Sequence, residues 1–138
     1  MIKCWAGAFG PRPTKNLKSE VIKLNIQTEI KKDKKGEDVI IFKLVGDLDA
    51  FSSKDFKPVM IDFVERGFKN YIVDLSETPF IDSSGLVSLI SLLKRAKTLG
   101  GYMKLAGARK EIKEIFNITG LDKVFEFYDS VDEALNPV

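Results

Sequence analysis

The chain contains no histidine, and Cys4 is its only cysteine. Without imidazole, a Ser-His-Asp or Cys-His catalytic unit is excluded, because no such group is present to take the nucleophile's proton. The same absence removes zinc sites built on imidazole, and one thiol cannot supply the several sulfur ligands of a structural zinc. A single cysteine also forbids an intrachain disulfide, which suits a reducing compartment, and a cytoplasmic location is expected. No metal site and no cofactor are expected, although the plentiful aspartates leave a carboxylate-held magnesium open on composition alone. No stretch approaches the roughly 18 consecutive apolar residues of a membrane-crossing helix, so no membrane span is expected. Charge of one sign is not in large excess either: 22 Lys and Arg stand against 20 Asp and Glu, a net +2. Lys3, Arg12, Lys15 and Lys18 against Glu20 give the first twenty residues +3, and the rest sum to −1. A short basic tail is not a basic groove, so no nucleic acid partner is expected.

Hydrophobic residues make up 44% of the 138 and charged residues 30%, a balance that supports one packed domain. Residues 1–20 are set apart. The apolar run Cys4 to Gly10 is too short for a secretory leader, and Pro11 and Pro13 break regular structure. This segment is expected to be a flexible extension. A misplaced start and a partner-binding arm around Trp5 remain open alternatives. The folded domain is expected over 21–138.

Periodicity then lays out the elements. Ile22, Leu24, Ile26, Thr28 and Ile30 alternate with polar residues, the pattern of a half-buried strand. The charged run Lys31 to Asp38 reads as a turn, and Val39 to Val45 as a strand buried on both faces. Ser52 and Asp55 approximate a capping box for a helix whose apolar face is Phe56, Val59, Met60, Phe63 and Val64. Pro58 predicts a kink or a late start in it, and Gly67 its end. Tyr71 to Leu75 is a strand. Asp82-Ser83-Ser84-Gly85 opens a second helix with Leu86, Leu89, Ile90, Leu93 and Ala96 on one face. Tyr102 to Ala106 is a strand, Ile112, Ile115 and Phe116 mark a third helix stopped at Gly120, Val124 to Tyr128 is a short strand, and Ser130 caps a last helix through Leu135. The order β-β-α-β-α-β-α-β-α implies a sheet with parallel central pairs and helices packed against it.

In such sheets the loop from a strand's carboxyl end to the next helix is the usual functional position. Here that loop runs from Leu75 to Ser84 and delivers Asp82, Ser83 and Ser84 to a helix N-terminus. Taken alone, Asp-Ser-Ser-Gly is an ordinary cap followed by a small packing residue. Its context is more telling. Asp74-Leu75-Ser76, then Phe80 to Leu86, then Gly100-Gly101 and Thr119-Gly120-Leu121, with Val45-Gly46-Asp47-Leu48-Asp49 before the first helix, resemble the STAS domain of anti-sigma factor antagonists in order and spacing. The resemblance spans about 21–136. Val87 stands where many members carry glycine.

The resemblance implies a STAS-like mixed sheet of four to five strands with about four helices. It implies a protein that is not an enzyme and that works by partner switching. The unphosphorylated form would bind an anti-sigma factor that is also a serine kinase, releasing a sigma factor. Phosphorylation at Ser83 would end that binding, and a serine phosphatase would reset it. The expected partner-binding residues are Asp49, Asp82, Ser83, Ser84, Gly85 and Val87. For Asp49 a loop-surface role and plain helix capping stand equal, and Ser84 favours support of the cap. For the outer side of the second helix (Val87, Ser91, Lys94, Arg95) a merely solvated face is the stronger reading. Two other functions stay in view. One is a STAS module of a stress-signalling scaffold or lipid-transport system. The other is an enzyme with Ser83 as nucleophile, disfavoured by the lack of histidine and of a Gly-x-Ser-x-Gly elbow. Oligomeric state is left open.

Overall fold

A computed structural model describes residues 24–137; the expected N-terminal extension and the start of the first strand lie outside them. Five strands form one sheet: β1 (Asn25–Lys32), β2 (Asp38–Val45), β3 (Tyr71–Asp74), β4 (Met103–Ala106) and β5 (Glu126–Tyr128). They lie side by side in chain order. The first pair is an antiparallel hairpin, with Asn25 opposite Val45, and every later pair is parallel. Four α-helices connect and flank them: α1 (Ala50–Glu65), α2 (Ser83–Thr98), α3 (Lys110–Thr119) and α4 (Val131–Leu135), with a 3-10 turn over Leu121–Lys123 before β5. The mixed five-stranded sheet with four helices is the architecture expected.

Parallel neighbours need crossovers, and α1, α2 and α3 supply them. Phe56, Met60 and Phe63 of α1, Leu89, Leu92 and Leu93 of α2, and Ile112 and Phe116 of α3 join Ile40, Phe42 and Leu44 in one core. Phe42 is its centre, edge-on to Phe56 at 5.4 Å and stacked on Tyr71 at 5.9 Å. The opposite face is thinner. There α4 lays Ala134 and Leu135 on Val39, Ile41, Ile72 and Ala106. β2 feeds both cores, which explains its unbroken apolar run. The buried Lys104 points to the same side, where its ammonium donates to the Ala134 carbonyl at 2.9 Å and lies 4.5 Å from the Tyr102 ring centre. That bond secures the last turn of α4.

Four expectations are corrected. β1 is not half-buried along its length: Leu24 is buried and Ile26 partly so, but Thr28 is exposed and Ile30 is 51% exposed. It is an edge strand, and no helix covers its far end. The capping box of α1 is Asp49 with Ser52, not Ser52 with Asp55, so the helix starts earlier. It also runs through Pro58 without a late start. The carbonyl that Pro58 leaves without a donor belongs to Lys54, an exposed residue, so water can satisfy it. Finally, the last strand begins at Glu126 because Leu121–Lys123 closes a helical turn first.

The strand order never reverses. Open parallel sheets usually hold small ligands in the crevice formed where it does. Here the strands' carboxyl edge instead presents a row of loops.

Candidate functional site

Two of these loops are laced together. After β2 the chain runs Gly46-Asp47-Leu48 into α1, and after β3 it runs Ser76 to Ile81 into α2. The buried hydroxyl of Thr78 donates to the Leu44 carbonyl at 2.7 Å. The amide of Gly46 donates to Glu77, that of Leu48 to Phe80, and that of Asp82 to Leu48, at 3.0, 2.9 and 3.2 Å. Leu48 and Ile81 form a parallel bridge and are both buried. The loops thus extend the β2–β3 pairing to the doorstep of both helices, and set the α1 and α2 N-termini side by side.

Gly85 makes this closeness possible. A Cβ there would run into the Leu48 carbonyl oxygen and lie 2.9 Å from both Leu48 Cγ and Ile81 Cγ2. Gly85 itself is buried, so it shapes the surface from beneath, in contrast to the contact role expected of it.

The two helix starts carry similar residues in different ways. At α1, Asp49 accepts from the amides of Phe51 and Ser52, both at 3.0 Å. Ser52 answers by accepting from the Asp49 amide at 2.8 Å and donating to the Asp47 carbonyl at 2.7 Å. The Ser52 amide bond to the carboxylate, aided by the Ser52 hydroxyl and the Phe51 amide, holds the Asp49 carboxyl below its usual range. At α2, among the described residues, the Asp82 carboxylate accepts only from Gly85 N, at 3.0 Å. Ser83 is exposed, and among the described residues its hydroxyl takes part in no hydrogen bond. Ser84 is half-buried, and its carbonyl accepts from Ser88. Ser83 therefore stands as the first residue of a 16-residue helix with its oxygen uncommitted.

Three large apolar side chains on the same two loop–helix junctions are exposed, and Val87 lines a groove with Ser83. Phe51 at the start of α1 is 83% exposed, Phe80 48% and Val87 63%. Val87 was expected on this surface; the two phenylalanines were not. Phe51 was discoverable, since it falls outside the Phe56, Met60, Phe63 stripe of its own helix. Phe80 was not, because its position depends on how the two loops pair. Asp49, Asp82 and Ser83 share this edge. Ser91, Lys94 and Arg95 lie further along α2, where Arg95 Nε donates to Ser91 Oγ at 3.3 Å. The flank beyond β3 is charged. Lys43 and Glu77 pair at 2.8 Å, and this bond lowers the Glu77 carboxyl from its ordinary value. Among the described residues no cluster of His, Cys, Asp and Glu could hold a metal ion, and no helix is long and apolar enough to cross a membrane.

A sequential mixed sheet, helices on its faces, and a serine presented at the end of the β3–α2 loop make an α/β domain with its candidate site at a helix start. Comparison with known proteins gives it a family. The profile described as "STAS domain" matches residues 29–134. A Thermotoga neapolitana chain whose name places it among anti-sigma factor antagonists is 30% identical over 103 residues, spanning 74% of this chain and 91% of that one. The anti-sigma-B factor antagonist of Bacillus subtilis is 25% identical over 103 residues, spanning 75% and 91%. In fold, the chain matches the Bacillus cell fate determinant SpoIIAA in its phosphorylated form with a TM-score of 0.63 at 18% identity, over 80% of this chain and 96% of that one. The chain belongs to the STAS domain family, and its curated relatives are anti-sigma factor antagonists, a class of regulatory binding proteins.

Proposed function

We propose that this protein is an anti-sigma factor antagonist switched at Ser83. The unphosphorylated form docks on an anti-sigma factor that is itself a serine kinase, so that a sigma factor is set loose. The kinase then moves the γ-phosphoryl group of ATP onto Ser83 Oγ, with ADP and the hydroxyl proton as the other products. The modified protein leaves, and a serine phosphatase restores the hydroxyl by hydrolysis. Asp49, Asp82, Phe51, Phe80 and Val87 form the docking face, and Ser84 and Gly85 support it. The chain itself performs no catalysis in this cycle.

The observation that carries this reading is the exposed, uncommitted Ser83 hydroxyl at the start of α2, on an edge that also exposes Phe51, Phe80 and Val87. Apolar area of this kind gains from being covered. Phosphate would bring about −1.5 to −2 charges and three acceptor oxygens to its centre. The fold can take that charge, because a helix N-terminus carries about half a positive charge and unpaired amides. A partner that must cover the same spot cannot do so cheaply. Burying a dianion beside two carboxylates costs on the order of several kcal/mol, which is several powers of ten in affinity. That a structural neighbour has been solved in a phosphorylated form supports the same reading.

The test is reconstitution with a purified kinase-type anti-sigma factor and ATP. Expected are a complex before ATP, one phosphate on Ser83 after it, and dissociation. Ser83→Ala should stay bound and unmodified. A complex that persists whatever the state of Ser83 would instead indicate a lasting scaffold contact, and labelling of Ser83 by a fluorophosphonate probe would indicate a nucleophile.

A further inference from the structure

A groove of about 430 Å³ runs between α1 and α2 on the side that carries Ser83. Lys54 and Lys57 line its α1 wall, and Ser83, Ser84 and Val87 line the α2 wall; no lining residue is acidic. Among the described residues neither lysine has an ion-pair partner, as holds for most of the chain's described lysines and arginines. The Ser53 hydroxyl, on the same wall, is the one buried side-chain polar atom among the described residues that lacks a hydrogen-bond partner. The nearby carboxylates, Asp49 and Asp82, are engaged with backbone amides at the two caps. The lining of the groove is therefore cationic and rich in donors.

Lys54 and Ser83 line the same groove, and helix geometry puts the lysine's ammonium within reach of the serine. The two helices start side by side, and Lys54 lies four residues beyond Ala50, a rise of about 6 Å. Helical side chains lean toward their own N-terminus, and a lysine's four-carbon stem lets its ammonium travel back that distance. Lys57, almost a turn further on, adds charge from behind.

We infer that this groove is the seat of the phosphate once Ser83 is modified. Lys54 pairs with the phosphoryl oxygens, and Lys57 strengthens the field. The inference rests on the reading that Ser83 is the modified residue, and gives the phosphorylated form its own structure. The phosphate folds back on the protein's own lysines, occupies the space beside Val87, and leaves the docking face altered in shape as well as charge.

The experiment uses the full chain with phosphoserine installed at position 83 during translation, so it needs no kinase. Phosphorus NMR follows the second ionisation of the phosphate against pH. A nearby ammonium favours the dianion, so Lys54→Ala should raise this pKa by about half a unit, Lys54→Arg should hold it near the parent value, and Lys57→Ala should raise it less. Lys54→Gln serves as a second neutral variant should the alanine form fail to fold. An unchanged titration in the neutral variants overturns the clamp, even if phosphorylation still releases the partner. A shifted titration in a protein that no kinase-type anti-sigma factor modifies leaves the clamp standing and removes the switch.

Discussion

The starts of α1 and α2 use the same two residue types, aspartate and serine, to opposite ends. At α1 the serine is turned inward: Ser52 is 5% exposed and bonded to both Asp49 and Asp47. At α2 the aspartate caps alone, and the Ser83 hydroxyl, on an exposed residue, has no hydrogen bond among the described residues. The difference is one of position. Ser52 is the third residue of its helix, where a side chain can reach back to the cap. Ser83 is the first, directed away from the backbone it might have served. A serine that closes a cap is lost to chemistry, whereas one that follows a sufficient cap is available. This contrast gives physical content to the idea that Ser83 can change charge without disturbing the domain.

Substitutions sharpen the contrast. The largest effect on folding is expected at the shared hinge beneath both starts. Gly85→Ala should cost about 3 kcal/mol in urea denaturation, because the added carbon meets the Leu48 backbone and the loops cannot part without breaking their lacing. Ser52→Ala should cost about 1–2 kcal/mol, since it leaves a buried cap half-made. Asp82→Ala should cost about 1 kcal/mol and weaken docking as well. Ser83→Ala should fall within about 0.5 kcal/mol of the parent protein. If Ser52→Ala and Ser83→Ala cost the same, the contrast between the two helix starts is wrong.

Acid probes the first start alone. The Asp49 carboxyl is held below its unfolded value, so the stability it contributes is complete above about pH 4 and fades as pH falls toward the depressed native value. Asp49→Asn still caps but cannot titrate. Its melting temperature should fall less steeply across that window than that of the parent protein, and parallel curves would contradict the cap's role.

Much of the fold was legible in the sequence because alternation and helical spacing are strong over Val39 to Val45, Leu86 to Ala96 and Ile112 to Phe116. The failures share a cause. Ser52-x-x-Asp55 reads as the capping box, but Ser52 instead pairs with Asp49, held there by the Asp47 carbonyl, which only the folded loop brings to it. Pro58 loses one ladder bond, but the cost of that loss depends on whether Lys54 faces water. The alternation of β1 announces an apolar side without saying where the covering helices stop, and so Ile30 is exposed. At the candidate site, Asp82 as a cap and Val87 as an outward residue were readable locally. The neighbouring Phe80 and the basic wall of Lys54 and Lys57 were not, because both arise from the pairing of Leu48 with Ile81.

One paired measurement reaches the centre of the account: the melting temperature of homogeneous Ser83-phosphorylated protein, and its affinity for the anti-sigma factor by calorimetry, each set against the unmodified form. The account predicts a melting temperature equal to or above that of the unmodified form and an affinity reduced at least about a hundredfold. A phosphorylated protein that melts far earlier, or that binds as tightly as before, would contradict it.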